Sequence, residues 1–256
     1  MNDGPDAMIF DLDGVVTFTA RVHAAAWKEL FDDFLRARAG KAGEPFRPFR
    51  DSDYYDYVDG KPRYDGVLSF LNSRDIHIPY GNTSDPPSAM TVRGLGNRKN
   101  ELFNHKLRDE GVDVDQEAIR LIHELRARGV RTGIASSSKN AVPILEAAGI
   151  PTLFDAVVDG VVSERLELRG KPQPDIFLQC LRWLVQPVDP QRAAIAEDSV
   201  AGIEAGRLGG FGLALGIDRN NSGALKRYGA DWVIRDFHGI TADKVFAFFT
   251  ERARAA

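Results

Sequence analysis

Ala7-Met8-Ile9-Phe10-Asp11-Leu12-Asp13-Gly14-Val15-Val16-Thr17 decides how the rest of this chain is read. The apolar run Ala7 to Phe10 stops at Asp11, and Gly14 follows, the pattern of a short buried strand that ends in a polar turn. From Val112 onward, helical and strand patterns alternate. Ala118, Leu121, Ile122 and Leu125 share one helical face behind an Asp115 cap, and Gly129 stops that helix. Val130 to Ala135 then reads as a strand, and Asn140 to Ala148 as a helix with Pro143 in its first turn and Gly149 beyond its end. Asp175 to Val185 is helical, Ala193 to Ala196 a strand, and Val200 to Leu208 a helix ended by Gly209-Gly210. Phe211 to Ile217 and Asp231 to Ile234 add two strands. This alternation predicts an α/β fold, a Rossmann-like parallel sheet covered by helices on both faces.

The stretch from Thr19 to Gly111 breaks the rhythm. It opens with a helical run, His23 to Ala39, then turns polar, aromatic and rich in Gly and Pro around Asp51–Tyr57 and Asn82–Pro87. The expectation is a discontinuous core, 1–18 with 112–256, and a mainly helical domain inserted at 19–111.

Bulk composition narrows the function classes. A net charge of −4 with acids and bases interspersed points to neither nucleic acid nor a membrane surface as partner. The acidic start at Asn2-Asp3 is unlike a signal peptide, and no apolar run approaches the ~18 residues of a membrane span. Cys180 is the single cysteine, so no intramolecular disulfide can form, which suits a reducing compartment and a cytoplasmic location.

The polar residues fall where an open α/β sheet binds ligands, outside the carboxyl ends of its strands. Asp11 and Asp13 follow the first strand, Ser136 follows Val130–Ala135, and Glu197-Asp198 follow Ala193–Ala196. Lys171 stands in the turn Gly170-Lys171-Pro172-Gln173-Pro174 before a helix. Each has an ordinary explanation as a turn, a cap or negative charge at a helix N-terminus. All four together, three of them at strand ends, point to phosphoryl transfer. Four crowded carboxylates require a neutralising cation, and hard oxygen donors completed by water and phosphate suit Mg²⁺. Lys171 and Ser136 would hold the phosphoryl oxygens. Asp11 would attack phosphorus to form an aspartyl-phosphate, and Asp13, two residues on and on the same side, would serve as general acid–base.

Phe10-Asp11-Leu12-Asp13-Gly14-Val15-Val16-Thr17, Ala135-Ser136, Gly170-Lys171-Pro172 and Ala196-Glu197-Asp198-Ser199 resemble, in order, the four motifs of the haloacid dehalogenase-like superfamily. The insertion resembles the helical cap of its phosphoglucomutase-like branch. In the same branch, Thr19-Ala20 with His23 and Trp27 resemble the continuation of the first motif, Asp59-Gly60-Lys61-Pro62-Arg63 resembles the cap loop, Asn97-Arg98-Lys99-Asn100 a cap helix segment, and Ser136-Ser137-Ser138-Lys139-Asn140 the serine-rich loop. The resemblance implies contacts from Ser136 and Lys171 to the transferring phosphate. Distal-phosphate contacts would come from Arg63, Ser138, Lys139 and Asn140, with Gly60 in the arginine's loop and Lys99 and His23 facing substrate. It implies metal ligation by Asp11, Glu197, Asp198 and the main-chain carbonyl of Asp13. Trp27 reads as core. Two departures stand out: Phe18 occupies a place where relatives usually carry an acidic residue, and the insertion is longer around Arg36–Asp51 and Asn72–Met90.

Three activities follow from this reading. A mutase would move phosphate around a hexose phosphate, primed by glucose 1,6-bisphosphate. A phosphatase would admit water to the same intermediate, on trehalose 6-phosphate or a similar ester. A catalytically dead binding module would have lost Asp11, Lys171 or Asp198, and none is lost. A dehalogenase would lack the second aspartate, and Asp13 is present. The expected partner is a small sugar phosphate, and the expected state a monomer or weak homodimer.

Overall fold

The computed structural model describes residues 4–42 and 45–255. The chain divides into two compact units, Met1–Phe18 with Asp113–Ala256, and Thr19–Val112.

The first unit is built on six strands: β1 (Ala7–Phe10), β2 (Arg131–Ala135), β3 (Ala156–Val158), β4 (Ala193–Glu197), β5 (Leu213–Ile217) and β6 (Trp232–Ile234). They form one sheet in the order β3-β2-β1-β4-β5-β6, every neighbouring pair parallel. In register, Phe10 stands opposite both Ile134 and Ala196, so β1, β2 and β4 end level with one another. Every residue of β1 and β4 is buried, as expected for strands covered on both faces. Ala7 and Ile9 join the cluster formed with Phe177, Cys180 and Ile203. Alternation sends Met8 and Phe10, equally buried, to the other face. Chain order reverses direction across β1 and β4, which is the topological switch where such sheets form a ligand crevice.

Seven helices of this unit are numbered after the four of the insertion: α5 (Gln116–Ala127), α6 (Ala141–Ala147), α7 (Gly160–Arg165), α8 (Asp175–Trp183), α9 (Val200–Leu208), α10 (Ala224–Arg227) and α11 (Ala242–Ala255). The Asp115 cap expected from sequence is present, its Oδ1 accepting from the N–H groups of Glu117 and Ala118 at 3.0 and 3.1 Å. α8 ends two residues earlier than its pattern predicts, because Leu184 turns extended and Val185 lies in solvent. β3, α7, α10 and α11 were not legible in the sequence pattern. The first three are six residues or shorter, too short for a periodicity to declare itself.

The second unit holds α1 (Ala20–Ala42), α2 (Asp51–Tyr57), α3 (Arg63–Ser73) and α4 (Val92–Glu110), with α1 packed on α4. Its core is aromatic, with Phe31 lying 4.1 Å from Phe70 and 5.3 Å from Trp27 between ring centroids. The two long segments of the insertion are tied into this core. Phe49 is buried against Phe31 and Phe70, its N–H donating to Asp32 and its carbonyl accepting from Lys28. In the second segment, Asp85 accepts from the Thr91 hydroxyl at 2.6 Å, and Thr91 in turn caps α4. Among the described residues, no helix is long and apolar enough to cross a membrane.

Candidate active site

The site begins with the turn that follows β1. The Asp11 N–H donates to the Ala196 carbonyl at 2.9 Å, extending the β1–β4 ladder by one residue. The Leu12 carbonyl then accepts from the N–H groups of Val16 and Thr17, and from the Thr17 hydroxyl at 3.1 Å. Closing this turn needs a positive φ at its corner, and Gly14 supplies it at +87°. Thr17 is fully buried, so its hydroxyl is a structural part of the turn. The turn places Asp13 beside Ser136 at the end of β2, with 3.4 Å between the serine Oγ and the aspartate Oδ2.

Lys171 reaches the same point from the loop before α8. It is 3% exposed, a degree of burial an ammonium tolerates only when all three of its protons are accepted. They are: Asp11 Oδ1 lies at 2.6 Å, the Ala135 carbonyl at 3.2 Å, and Glu197 Oε1 makes the third contact. The Phe177 ring lies under the ammonium, 4.9 Å from its centroid. Glu197 is completely buried. Its Oε2 accepts from the N–H and hydroxyl of Ser199 at 3.0 and 2.9 Å, and the Ser199 hydroxyl caps α9 through Gly202 N. Glu197 therefore holds Lys171 with one oxygen and the start of α9 with the other. Asp198, half-buried, follows it at the strand end.

This geometry depends on Gly202, which the sequence pattern treats as one more helical residue. A Cβ there would lie 1.9 Å from the Glu197 carboxylate. Gly202→Ala is expected to displace Glu197 and Lys171 with it, destabilising by about 1–3 kcal/mol. Its effect on turnover should exceed that of Gly206→Ala on the same helix, where the contact is with the flexible end of Ile195. Equal turnover for the two variants would show that Glu197 does not set Lys171.

Burial pushes the Asp11 carboxyl up to about 8, against the pull of Lys171 and with the push of Glu197 and Asp13. Burial works against the Lys171 charge, but Asp11 and Glu197 together raise its pKa, so the ammonium persists. A carboxyl raised in this way beside other acids is matched to a divalent cation, which restores its charge. Among the described residues no three His, Cys, Asp or Glu side chains meet at one point. The hard oxygens of Asp11 and Asp198 with a main-chain carbonyl nonetheless suit Mg²⁺, which keeps several waters and is usually bound through one or two carboxylates.

The serine-rich loop follows Ser136. Ser138 N–H donates to the Ser136 hydroxyl at 3.1 Å, and Asn140 N–H to the Ser138 hydroxyl at 3.2 Å, so the loop is braced by its own side chains. Lys139 forms an ion pair with Glu164 at 2.6 Å. In the second unit, Lys99 is buried, faces the His23 Nδ1, and lies over Trp27 and Phe103 at 5.0 and 4.8 Å. His23 stacks on Phe103, so it joins packing and polar contact, while Trp27 is core as expected and also floors the lysine. Arg63 donates to Asn100 Oδ1 at 2.7 Å, and Gly60 turns the preceding loop at φ +71°.

The profile of the haloacid dehalogenase-like hydrolase family matches residues 5–210. The chain is 45% identical over 235 residues to a β-phosphoglucomutase of Mycobacterium tuberculosis, covering 90% of this chain and 89% of that one. It is 32% identical over 237 residues to the β-phosphoglucomutase of Bacillus subtilis, covering 93% and 92%. The crystal structure of a β-phosphoglucomutase from Clostridium difficile superposes with a TM-score of 0.76 at 25% identity, over 98% of this chain and 99% of that one. With Asp11 and Asp13 at the end of β1, Ser136 at the end of β2, Lys171 between them and Glu197-Asp198 closing β4, the chain belongs to the haloacid dehalogenase-like hydrolase family.

Proposed function

We propose that this protein is a β-phosphoglucomutase, converting β-glucose 1-phosphate to glucose 6-phosphate through a phosphorylated Asp11. The observation that carries the chemistry is the buried Lys171, held by Glu197 and paired with Asp11 at 2.6 Å at the switch point of the sheet. The sugar is carried by the 45% identity to the mycobacterial relative.

In the first half-reaction an Asp11 carboxylate oxygen attacks phosphorus, and the bond from phosphorus to the sugar oxygen breaks. Asp13 gives its proton to that departing oxygen. In the second, a hexose hydroxyl loses its proton to Asp13 as it attacks the phosphorus on Asp11, whose carboxylate departs. Lys171 and Ser136 hold the phosphoryl oxygens throughout, their positions set before the substrate arrives. Asp11, Asp198 and the Asp13 carbonyl would hold a Mg²⁺, which when bound offsets charge on the phosphoryl group. Glu197 serves by fixing Lys171 rather than as a ligand. Glucose 1,6-bisphosphate primes Asp11. Arg63 and Lys99 of the insertion, and Ser138, Lys139 and Asn140 of the first unit, are the residues proposed to bind the far end of the substrate. Acting on a phosphorylated sugar metabolite suits a cytoplasmic enzyme.

The deciding assay supplies β-glucose 1-phosphate, Mg²⁺ and a trace of glucose 1,6-bisphosphate, and follows glucose 6-phosphate and free phosphate separately. Isomer formation outrunning phosphate release is expected. Rapid phosphate release without isomer would establish the sugar-phosphate phosphatase instead. Chelation should abolish both products, and Mg²⁺ should restore them and raise the melting temperature, as a ligand of the folded state does. Full turnover in chelator would remove the metal from the scheme. Arg63→Ala should lower isomer formation roughly 10²-fold by losing the far phosphate. It should act far less on p-nitrophenyl phosphate, which has no second phosphate; equal losses on both would rule out that role.

A further inference from the structure

The chain passes between its two units twice, at 18/19 and at 112/113. On the side of the first unit these two crossings are paired. Thr17 stands opposite Val114 in an antiparallel bridge, Phe18 N–H donates to the Asp113 carbonyl, and Asp115 N–H donates to the Val16 carbonyl, both at 2.9 Å. The same residues, Gly14 to Phe18, are the continuation of the turn that carries Asp13.

Arg219, two residues past the end of β5, closes over this junction. Its Nε donates to the Gly14 carbonyl at 3.1 Å, and its Nη2 to Asp115 Oδ2 at 2.7 Å. The guanidinium lies 4.7 Å from the centroid of the Phe18 ring. One planar group thus touches the turn one residue beyond Asp13, the first crossing at Phe18 and the second at Asp115. Lysine could not span these contacts, since only the fork of arginine offers donors in two directions and a flat face. The arginine is itself set by its neighbour. Asp218 accepts from Ser222 N at 2.9 Å and Gly223 N at 2.7 Å, which folds residues 218–223 into a fixed loop. The pair is partly buried, with side-chain exposures of 28% for Arg219 and 7% for Asp115, so solvent screens it less than a surface pair. Phe18, the departure from the family pattern, also gains a reason. An aromatic ring there offers the arginine a face, while the carboxylate partner comes from Asp115 at the start of α5.

We propose that Arg219 is a positioning residue for the acid–base step. It fixes the turn that aims Asp13 and fastens that turn to the paired crossings. The inference rests on the reading of Asp13 as general acid–base. A group that protonates the departing oxygen matters for a sugar alkoxide and little for p-nitrophenolate, which leaves without a proton. Asp13 also takes a proton when phospho-Asp11 is discharged, a step common to both donors, so the informative quantity is kcat/KM, which reports only the phosphorylation of Asp11. A mispositioned Asp13 changes the ratio of kcat/KM on the two substrates, whereas general loosening of the fold lowers both alike.

The experiment uses the full chain with Mg²⁺ and measures kcat and KM for glucose 1,6-bisphosphate and p-nitrophenyl phosphate. Asp13→Asn is the reference. Arg219→Met is expected to lower the bisphosphate-to-nitrophenyl kcat/KM ratio roughly tenfold or more, the scale of a small displacement of a catalytic group. Asp115→Asn removes the partner of Arg219 while its remaining oxygen still caps α5, so the ratio should fall in the same direction on an intact fold. Arg219→Lys should recover part of the ratio by reaching one of the two oxygens. If Asp13→Asn skews the ratio but Arg219→Met and Asp115→Asn lower both substrates by one factor, or neither, the role of Arg219 is overturned. If Asp13→Asn leaves the ratio unmoved, the acid–base reading of Asp13 fails, and the role of Arg219 falls with it.

Discussion

An Asp11→Asn variant is expected to lose turnover on every phosphoryl donor by roughly 10⁴-fold or more, the scale reached when a reacting group is removed outright. The amide keeps the shape of the carboxylate, and the Asp11 main-chain contact to Ala196 is untouched, so the fold should persist. Two functions vanish together: the nucleophile and a metal-binding oxygen. The carboxyl is also raised by burial to about 8, so a neutral amide at this position removes an ionisation that the metal-free fold disfavours. The variant should therefore unfold at a denaturant concentration equal to or above that of the parent. It should also accumulate no acid-stable phosphoprotein when incubated with labelled glucose 1,6-bisphosphate. A labelled, active Asp11→Asn protein would mean that phosphate travels by another residue.

Lys171→Met is expected to do the opposite to stability while also removing activity. The lysine separates Asp11 from Glu197, and the Lys171–Glu197 pair is essentially inaccessible, with side-chain exposures of 1% and 0%. Removing one partner of a buried pair leaves the other charge uncompensated, at about 3–5 kcal/mol. Turnover should fall roughly 10²–10³-fold, as when a donor aimed at the reacting group is deleted. Adding Glu197→Gln separates the two effects. The glutamine can still accept from Ser199 and removes the stranded charge, so the double variant should regain much of the stability and none of the turnover. Recovery of turnover in the double variant would confine Lys171 to a structural part, and a Lys171→Met protein as stable as the parent would refute the energetics.

The particular residues explain what was legible and what was not. Asp11, Asp13, Ser136 and Glu197 sit directly after apolar runs, and a residue at the end of a buried strand has its position fixed by the strand. Asp115 was legible as a cap because capping is a local contact, two and three residues along the chain. Gly202 was not, since its importance lies in a carboxylate five residues earlier that folds back over the first turn of α9. Arg219 was not either. Its partners Gly14 and Asp115 lie 205 and 104 residues away, and nothing local distinguishes it from the chain's other arginines. Glu197 was found but given a different task. Sequence groups it with Asp198 as a pair of acids, and burial turns it inward to Lys171 and Ser199.

The sequence alone determined that Asp11 and Asp13 follow a buried strand, that other chemically capable residues end neighbouring strands, and that a helical insertion interrupts the core. These are consequences of periodicity and turn chemistry, which act over a few residues. Tertiary structure alone decided that Lys171 finds three acceptors, that Glu197 is drawn inside, and that Arg219 clasps the turn behind Asp13. Those outcomes depend on which distant groups share a dry space. There an unpaired charge costs several kcal/mol and must find its partner wherever the fold has brought it.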